Sequence, residues 1–171
     1  MSEEEGDRAV AVYRQTHPEV VKLWGEANHV LLLLSKGETK SWRGLISICD
    51  SCLYLPNSTR MNYHLYWNEE RRSWMRKRRG GFQKIWGGVV VQNVMEALAR
   101  VDLSQGMLRI EKATGIRPVG TVHDEVWYLW PRSEADALHA LAVAELSRSP
   151  AWLPGIPIAV EGHLGERYEK T

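Results

Sequence analysis

Two cysteines, Cys49 and Cys52, are all that 171 residues contain. That excludes a small scaffold stapled by disulfides. Long apolar runs are also missing. The run Val30-Leu31-Leu32-Leu33-Leu34 falls far short of the roughly 20 residues that span a bilayer. The N-terminus Met1-Ser2-Glu3-Glu4-Glu5 is acidic with no apolar segment behind it, so no signal peptide is expected. No internal repeat and no long linker interrupts the chain. These absences point to a soluble, cytoplasmic protein in a reducing compartment with no membrane partner.

Acidic residues are absent from one stretch. Arg71, Arg72, Arg76, Lys77, Arg78, Arg79 and Lys84 lie between positions 71 and 84 without a single Asp or Glu. The formal net charge is only +1, so the remainder of the chain is acidic on balance. Hydrophobic residues make up 44% and charged residues 25%, as in folded rather than disordered chains. Of the eight tryptophans, many are expected to fill the core or an interface.

The order of elements can be read from punctuation and period. Ser2 with Glu5 forms a capping-box pattern that predicts a helix from about Glu3 to Gln15. His17-Pro18 interrupts it. Val20, Val21, Trp24, Ala27, Leu31 and Leu34 then recur at helical spacing up to Lys36-Gly37. Residues 39–67 read as strands and turns, followed by the basic stretch as a loop closing at Gly80-Gly81. A long helix opens at Gly87-Gly88 and ends near Gly115. Two apolar strands, Arg117–Val122 and Val126–Trp130, form a tight hairpin. Ser133 is expected to cap a helix to about Ser147, with a last strand near Ile158–Glu161. The fold class is therefore α+β.

The hairpin carries Val122-His123-Asp124-Glu125-Val126. Adjacent carboxylates repel, and a hairpin tip between buried strands is a costly place for both. A divalent cation with oxygen ligands resolves the conflict. Taken alone, His-Asp-Glu is also explained as a solvated turn, where Asp is common.

The surroundings add to this reading. A Gly-Gly helix start, a long helix, a Val-His-Asp-Glu hairpin, a further helix and a short strand follow one another. Upstream lie Tyr13-Arg14-Gln15-Thr16-His17-Pro18-Glu19-Val20-Val21 and Leu55-Pro56 with Arg60. Gly87-Gly88 leads through Asn93 to Ala97-Leu98-Ala99-Arg100. Pro150-Ala151-Trp152-Leu153-Pro154-Gly155-Ile156-Pro157 and Glu161-Gly162 through Arg167-Tyr168 close the chain. In this order the motifs resemble the C-terminal palm and fingers segment of a family A (polymerase I-like, phage-branch) DNA polymerase. One turn departs from the pattern. The family's Leu-Pro-Ser-Gly-Arg is here Leu55-Pro56-Asn57-Ser58-Thr59-Arg60, one residue longer and without the glycine.

The resemblance implies a partial polymerase palm, its antiparallel catalytic hairpin packed on helices, plus a helical remnant of the fingers. Residues 1–35 would be that remnant, 36–88 a strand and turn region with the basic loop, and 89–171 the palm portion. Asp124 would bind metal, with Glu125 as an assisting catalytic acid. His123 would lie beside the primer terminus. Arg60, Arg76, Lys77, Arg78 and Arg79 would contact DNA. Two Mg²⁺ ions would be shared with a larger polymerase polypeptide supplying the other aspartate and the nucleotide-binding helix. Primer-template DNA and a dNTP would be the substrates, in the host cytoplasm if the gene is a phage's. The alternative is an inert DNA-binding or scaffolding remnant of a palm.

Cys49-Asp50-Ser51-Cys52 has no second ligand pair for zinc and lies in a strand-like run rather than at the helix start of a redox motif. Buried or half-buried thiols are the expectation.

Overall fold

The computed structural model describes residues 2–167. These residues build a mixed α+β protein whose sheets are all antiparallel. They form two compact units that divide within one long helix, between Ala97 and Leu98.

The first unit begins with α1 (Glu3–Thr16), closed by a reciprocal cap. The Ser2 backbone N–H donates to Glu5 Oε2 at 2.7 Å, and the Glu5 N–H donates to Ser2 Oγ at 3.2 Å. Helix α2 (Pro18–Lys36) starts on Pro18, whose missing N–H costs nothing in the first turn. It stops at Gly37, whose φ of 67° is left-handed. Between these ends Ala27, Val30, Leu31, Leu33 and Leu34 turn inward. Each Leu so buried stabilises the fold by about 1.5–3 kcal/mol.

Four short strands follow in a meander: β1 (Lys40–Trp42), β2 (Ile46–Cys49), β3 (Cys52–Tyr54) and β4 (Arg60–Asn62), paired in that order. Ile46 and Ile48 alternate inward from β2, the period of two expected of a sheet with one covered face. A second sheet contains β5 (Leu65–Asn68), β6 (Ser73–Arg78) and β7 (Gly81–Lys84). Helix α2 packs on β2 and β5.

The basic stretch is thus not a loop. It is the strand β6 and its turn into β7, with Arg78 opposite Gly81 and Gly80 at φ 95°. Arg76-Lys77-Arg78 can run as a strand because alternate side chains leave on opposite faces and do not crowd their charges together.

Helix α3 (Gly87–Thr114) crosses the boundary between the units and ends at Gly115, φ 72°. In the second unit, Arg109 Nε donates to Glu145 Oε2 at 2.9 Å, tying α3 to α4 (Ala135–Leu146). Gly106 sits against the same helix, where a Cβ would come within 2.7 Å of Leu146 Cδ2. Trp152 Nε1 donates to Gln105 Oε1 at 3.1 Å and so fastens the following segment. Strands β8 (Gly120–Val122) and β9 (Glu125–Trp127) make a two-stranded sheet.

Several expectations need correction. None of the eight tryptophans is buried; six are half-buried, and Trp67 and Trp86 are exposed. The core is mainly aliphatic, with Tyr63 its one buried ring among the described residues, and the indoles pair at its margin, Trp24 with Trp86 and Trp67 with Trp74. The hairpin strands are shorter than expected, and neither holds a buried residue. Ser133 does not cap α4. It lies inside a 3₁₀ turn (Arg132–Glu134) set up after Pro131, so Glu134 takes the cap position without a side-chain bond. No strand forms at 158–161 among the described residues. Among the described residues no strand pairs with that segment, and the next residue, Gly162, lies on the His139 ring, where a Cβ would come within 2.4 Å. Tyr168, the last residue of the tail motif, lies outside the described residues.

Candidate functional site

The β8–β9 register pairs Gly120 with Trp127, Thr121 with Val126 and Val122 with Glu125. That leaves a two-residue loop, His123-Asp124. His123 has φ 53°, while Asp124 is not in the left-handed region. Such a connection usually takes glycine at its first position. A side chain held there costs about 1–2 kcal/mol, and His is among the residues that tolerate it. His123, Asp124 and Glu125 are all exposed.

Two neighbours fix this hairpin. Gly120 lets the Trp127 ring lie across the strand, since a Cβ would come within 2.9 Å of it. Arg100, on α3, donates through Nη2 to Thr121 Oγ1 at 3.2 Å. Arg100 therefore places a guanidinium at the hairpin three residues before Asp124. Arg100 closes the Ala97-Leu98-Ala99-Arg100 motif, yet no local pattern foretells its bond, which joins positions 21 residues apart.

Asp124 and Glu125 fit a partial donor set for Mg²⁺. This ion takes oxygen ligands and is commonly held by one or two carboxylates plus substrate phosphates and water. Among the described residues no group of three or more His, Cys, Asp or Glu is arranged to hold a metal. The remaining ligands would come from substrate, water or another polypeptide segment.

The basic residues lie in the first unit, and the carboxylate hairpin lies in the second. Arg60 opens β4 opposite Tyr54 and is exposed. Arg76 donates from Nε and Nη2 to Gln83 Oε1 at 3.1 and 2.9 Å, and Arg78 Nη1 reaches the same oxygen at 3.2 Å. The Arg76 guanidinium also lies 5.6 Å over the Tyr63 ring. Burial pushes the Tyr63 hydroxyl above its ordinary pKa, partly offset by its hydrogen bond from Asn93. Lys77 leaves β6 on the opposite face from Arg76 and Arg78, and Arg79 is in the turn. In the sequence the signal for these strands is Gly80-Gly81, a pair that favours a hairpin, with Trp74-Met75 before it and Phe82 after it.

Ser58 takes the left-handed conformation, φ 66°, in a loop closed by Leu55 N–H to Thr59 O at 2.9 Å. Cys49 and Cys52 face one another directly across a turn whose two residues, Asp50 and Ser51, both have positive φ. Both thiols are free, Cys52 buried and Cys49 half-buried.

The chain is similar to a DNA polymerase. The relative is the protein named "DNA polymerase" of Bacillus phage SP02, 25% identical over 187 aligned positions that cover 99% of this chain. The chain spans 28% of that relative's length. Neither a family model nor a solved structure matches it. No helix among the described residues is long and apolar enough to cross a membrane.

Proposed function

We propose that this chain forms the C-terminal palm and fingers portion of a family A DNA polymerase and contributes Asp124 to two-metal nucleotidyl transfer in DNA replication. The observation that carries this reading is the adjacent, exposed pair Asp124, in the two-residue loop, and Glu125, which opens β9. Similarity over 99% of the chain to a phage protein named DNA polymerase supports the DNA-polymerase part of the reading.

In this reading Asp124 is a ligand and Glu125 an assisting acid. When bound, Mg²⁺ would lower the pKa of an attacking hydroxyl and neutralise developing charge on phosphate oxygens. The chain's own part is to hold two carboxylates at a fixed tip. His123 occupies the position beside the primer terminus. Arg60, Arg76, Lys77, Arg78 and Arg79 bind DNA phosphates, whose attraction to Lys and Arg releases counterions.

The other aspartate, the nucleotide-binding helix and the thumb come from a larger polypeptide. Two considerations support that partner. The described residues bring no third metal-binding group to the pair. Among the described residues β8–β9 is also a two-stranded sheet, whose outer edges can pair with a further strand.

The test is primer extension with Mg²⁺, by the purified chain and by the assembly isolated through it, each with Asp124→Asn. Extension should require the assembly and vanish with Asp124→Asn. Undiminished extension by the Asp124→Asn assembly would refute the metal role and leave a scaffold.

A further inference from the structure

The chain has one phenylalanine, Phe82, and it is 62% exposed. Tyr66, 36% exposed, meets it edge-on with ring centroids 5.1 Å apart. The two rings come from β7 and β5, on either side of β6. Register puts them on one face: Tyr66 is opposite Met75, Phe82 is opposite Lys77, and Met75 and Lys77 alternate along the same side of β6. Lys84, opposite Met75, joins that face. The result is an aromatic pair flanked by two lysines, with buried Met75 between them.

Packing does not account for this arrangement. Covering a Phe side chain stabilises a fold by about 1.5–3 kcal/mol, yet Phe82 keeps most of its surface in water. The flanking charges are of one sign, within a stretch from Arg71 to Lys84 that has no acid. On the other face Arg76 and Arg78 already share an acceptor, Gln83 Oε1. On the Phe82 face Lys77 and Lys84 are both exposed. A surface of this kind complements a polyanion that also presents flat apolar faces.

We propose that the Tyr66–Phe82 face is a stacking platform for single-stranded DNA, with a base on the Phe82 ring and phosphates near Lys77 and Lys84. Duplex DNA offers the phosphates but keeps its base faces inside the stack, so exposed rings select a single strand. The inference rests on the DNA-polymerase reading above and adds to it the form of the nucleic acid and the residues Tyr66, Phe82 and Lys84.

Fluorescence anisotropy on the full chain tests it, with labelled oligo-dT, a duplex of equal length and oligo-rU as probes. Oligo-dT should bind more tightly than either of the others. Phe82→Ala should weaken oligo-dT binding about 5- to 150-fold, the range produced by losing one base stack, without changing its salt dependence. Phe82→Trp should keep the affinity. Lys77→Gln with Lys84→Gln should instead lower the salt slope by about 0.7 for each phosphate left without its lysine. Circular dichroism and thermal melting identify any variant that fails to fold, and Tyr66→Ala then provides a second reading of the same face. Equal or tighter binding of duplex or oligo-rU, no binding of oligo-dT, or unchanged affinity in folded Phe82→Ala overturns the proposal. Extension that depends on Asp124 while Phe82→Ala binds oligo-dT normally would sink the platform and leave the polymerase reading standing. Stacking without any Asp124-dependent extension would do the reverse.

Discussion

Gly87 donates its backbone N–H to the Asn28 side-chain oxygen at 2.6 Å, so α3 is capped by a residue of α2, 59 positions away. The approach is close. A Cβ on Gly87 would stand 1.9 Å from the Trp24 carbonyl oxygen and 2.9 Å from the Asn28 nitrogen. The first glycine of the Gly-Gly pair thus has a packing reason that holds whatever the chain binds.

Replacing Asn28 with Ala should cost about 1 kcal/mol, the usual loss for a helix cap. Gly87→Ala should cost more, about 1–3 kcal/mol, because backbone rather than a movable side chain blocks the new methyl. Urea midpoints measure both. A Gly87→Ala chain with the parent midpoint would refute the close approach.

His123→Gly should separate folding from function. Glycine adopts a positive φ without penalty, so the variant should be as stable as the parent or about 1 kcal/mol more stable. Primer extension by the assembly should nevertheless fall if the imidazole serves the primer terminus. A variant that extends normally assigns His123 to the turn alone.

Asp102 should impose a pH-dependent penalty. Burial raises its carboxyl above the ordinary range, against the opposing pull of Arg109, and its Oδ1 is buried without a hydrogen bond. The folded state therefore holds this proton more tightly than the unfolded one. Stability from this group falls as pH rises from the unfolded value, about 3.9, through the folded one. Asp102→Asn should melt at a higher temperature than the parent at pH 7, and the gap should close below about pH 4. A gap independent of pH would show that charge is not the cause.

Glu26 should act in the opposite sense. The hydrogen bond from Arg43 and then that from Trp42 hold its carboxyl below the ordinary range. Its contribution is present above the unfolded value, about 4.3, and is lost as pH falls through the folded one. Glu26→Gln should flatten the acid limb of the stability curve. The effect should shrink in high salt, because the pair is open to solvent. An acid limb as steep as the parent's would remove Glu26 from that account.

What a sequence discloses follows the range of the forces involved. Ser2, Pro18, Gly37 and Gly115 mark helix ends through local bonds, and all four are legible. So is the His123-Asp124 hairpin, from apolar runs on both sides of a polar tip. The strand character of Arg76 to Arg78 is masked by their charge, although Gly80-Gly81 after them signals a hairpin. The cap from Asn28 to Gly87, the Arg100–Thr121 bond and the Tyr66–Phe82 pair join positions distant in sequence. No local pattern encodes such contacts. Tryptophan misleads for a related reason: Trp42 and Trp152 keep hydrogen-bond partners for their ring N–H at the margin, Glu26 and Gln105, and that holds them out of the core.

Helix α1 buries no side chain. Its ring contacts with the next helix go through Tyr13, stacked 6.1 Å from Trp24. Fourteen residues is near the length, about 12–15, at which a lone helix is marginal in water. Undoing it exposes little new apolar surface, so its amides should trade protons for deuterons long before those of the buried Leu31 and Leu34. The N-terminal turns can therefore unwind while the aliphatic centre stays closed.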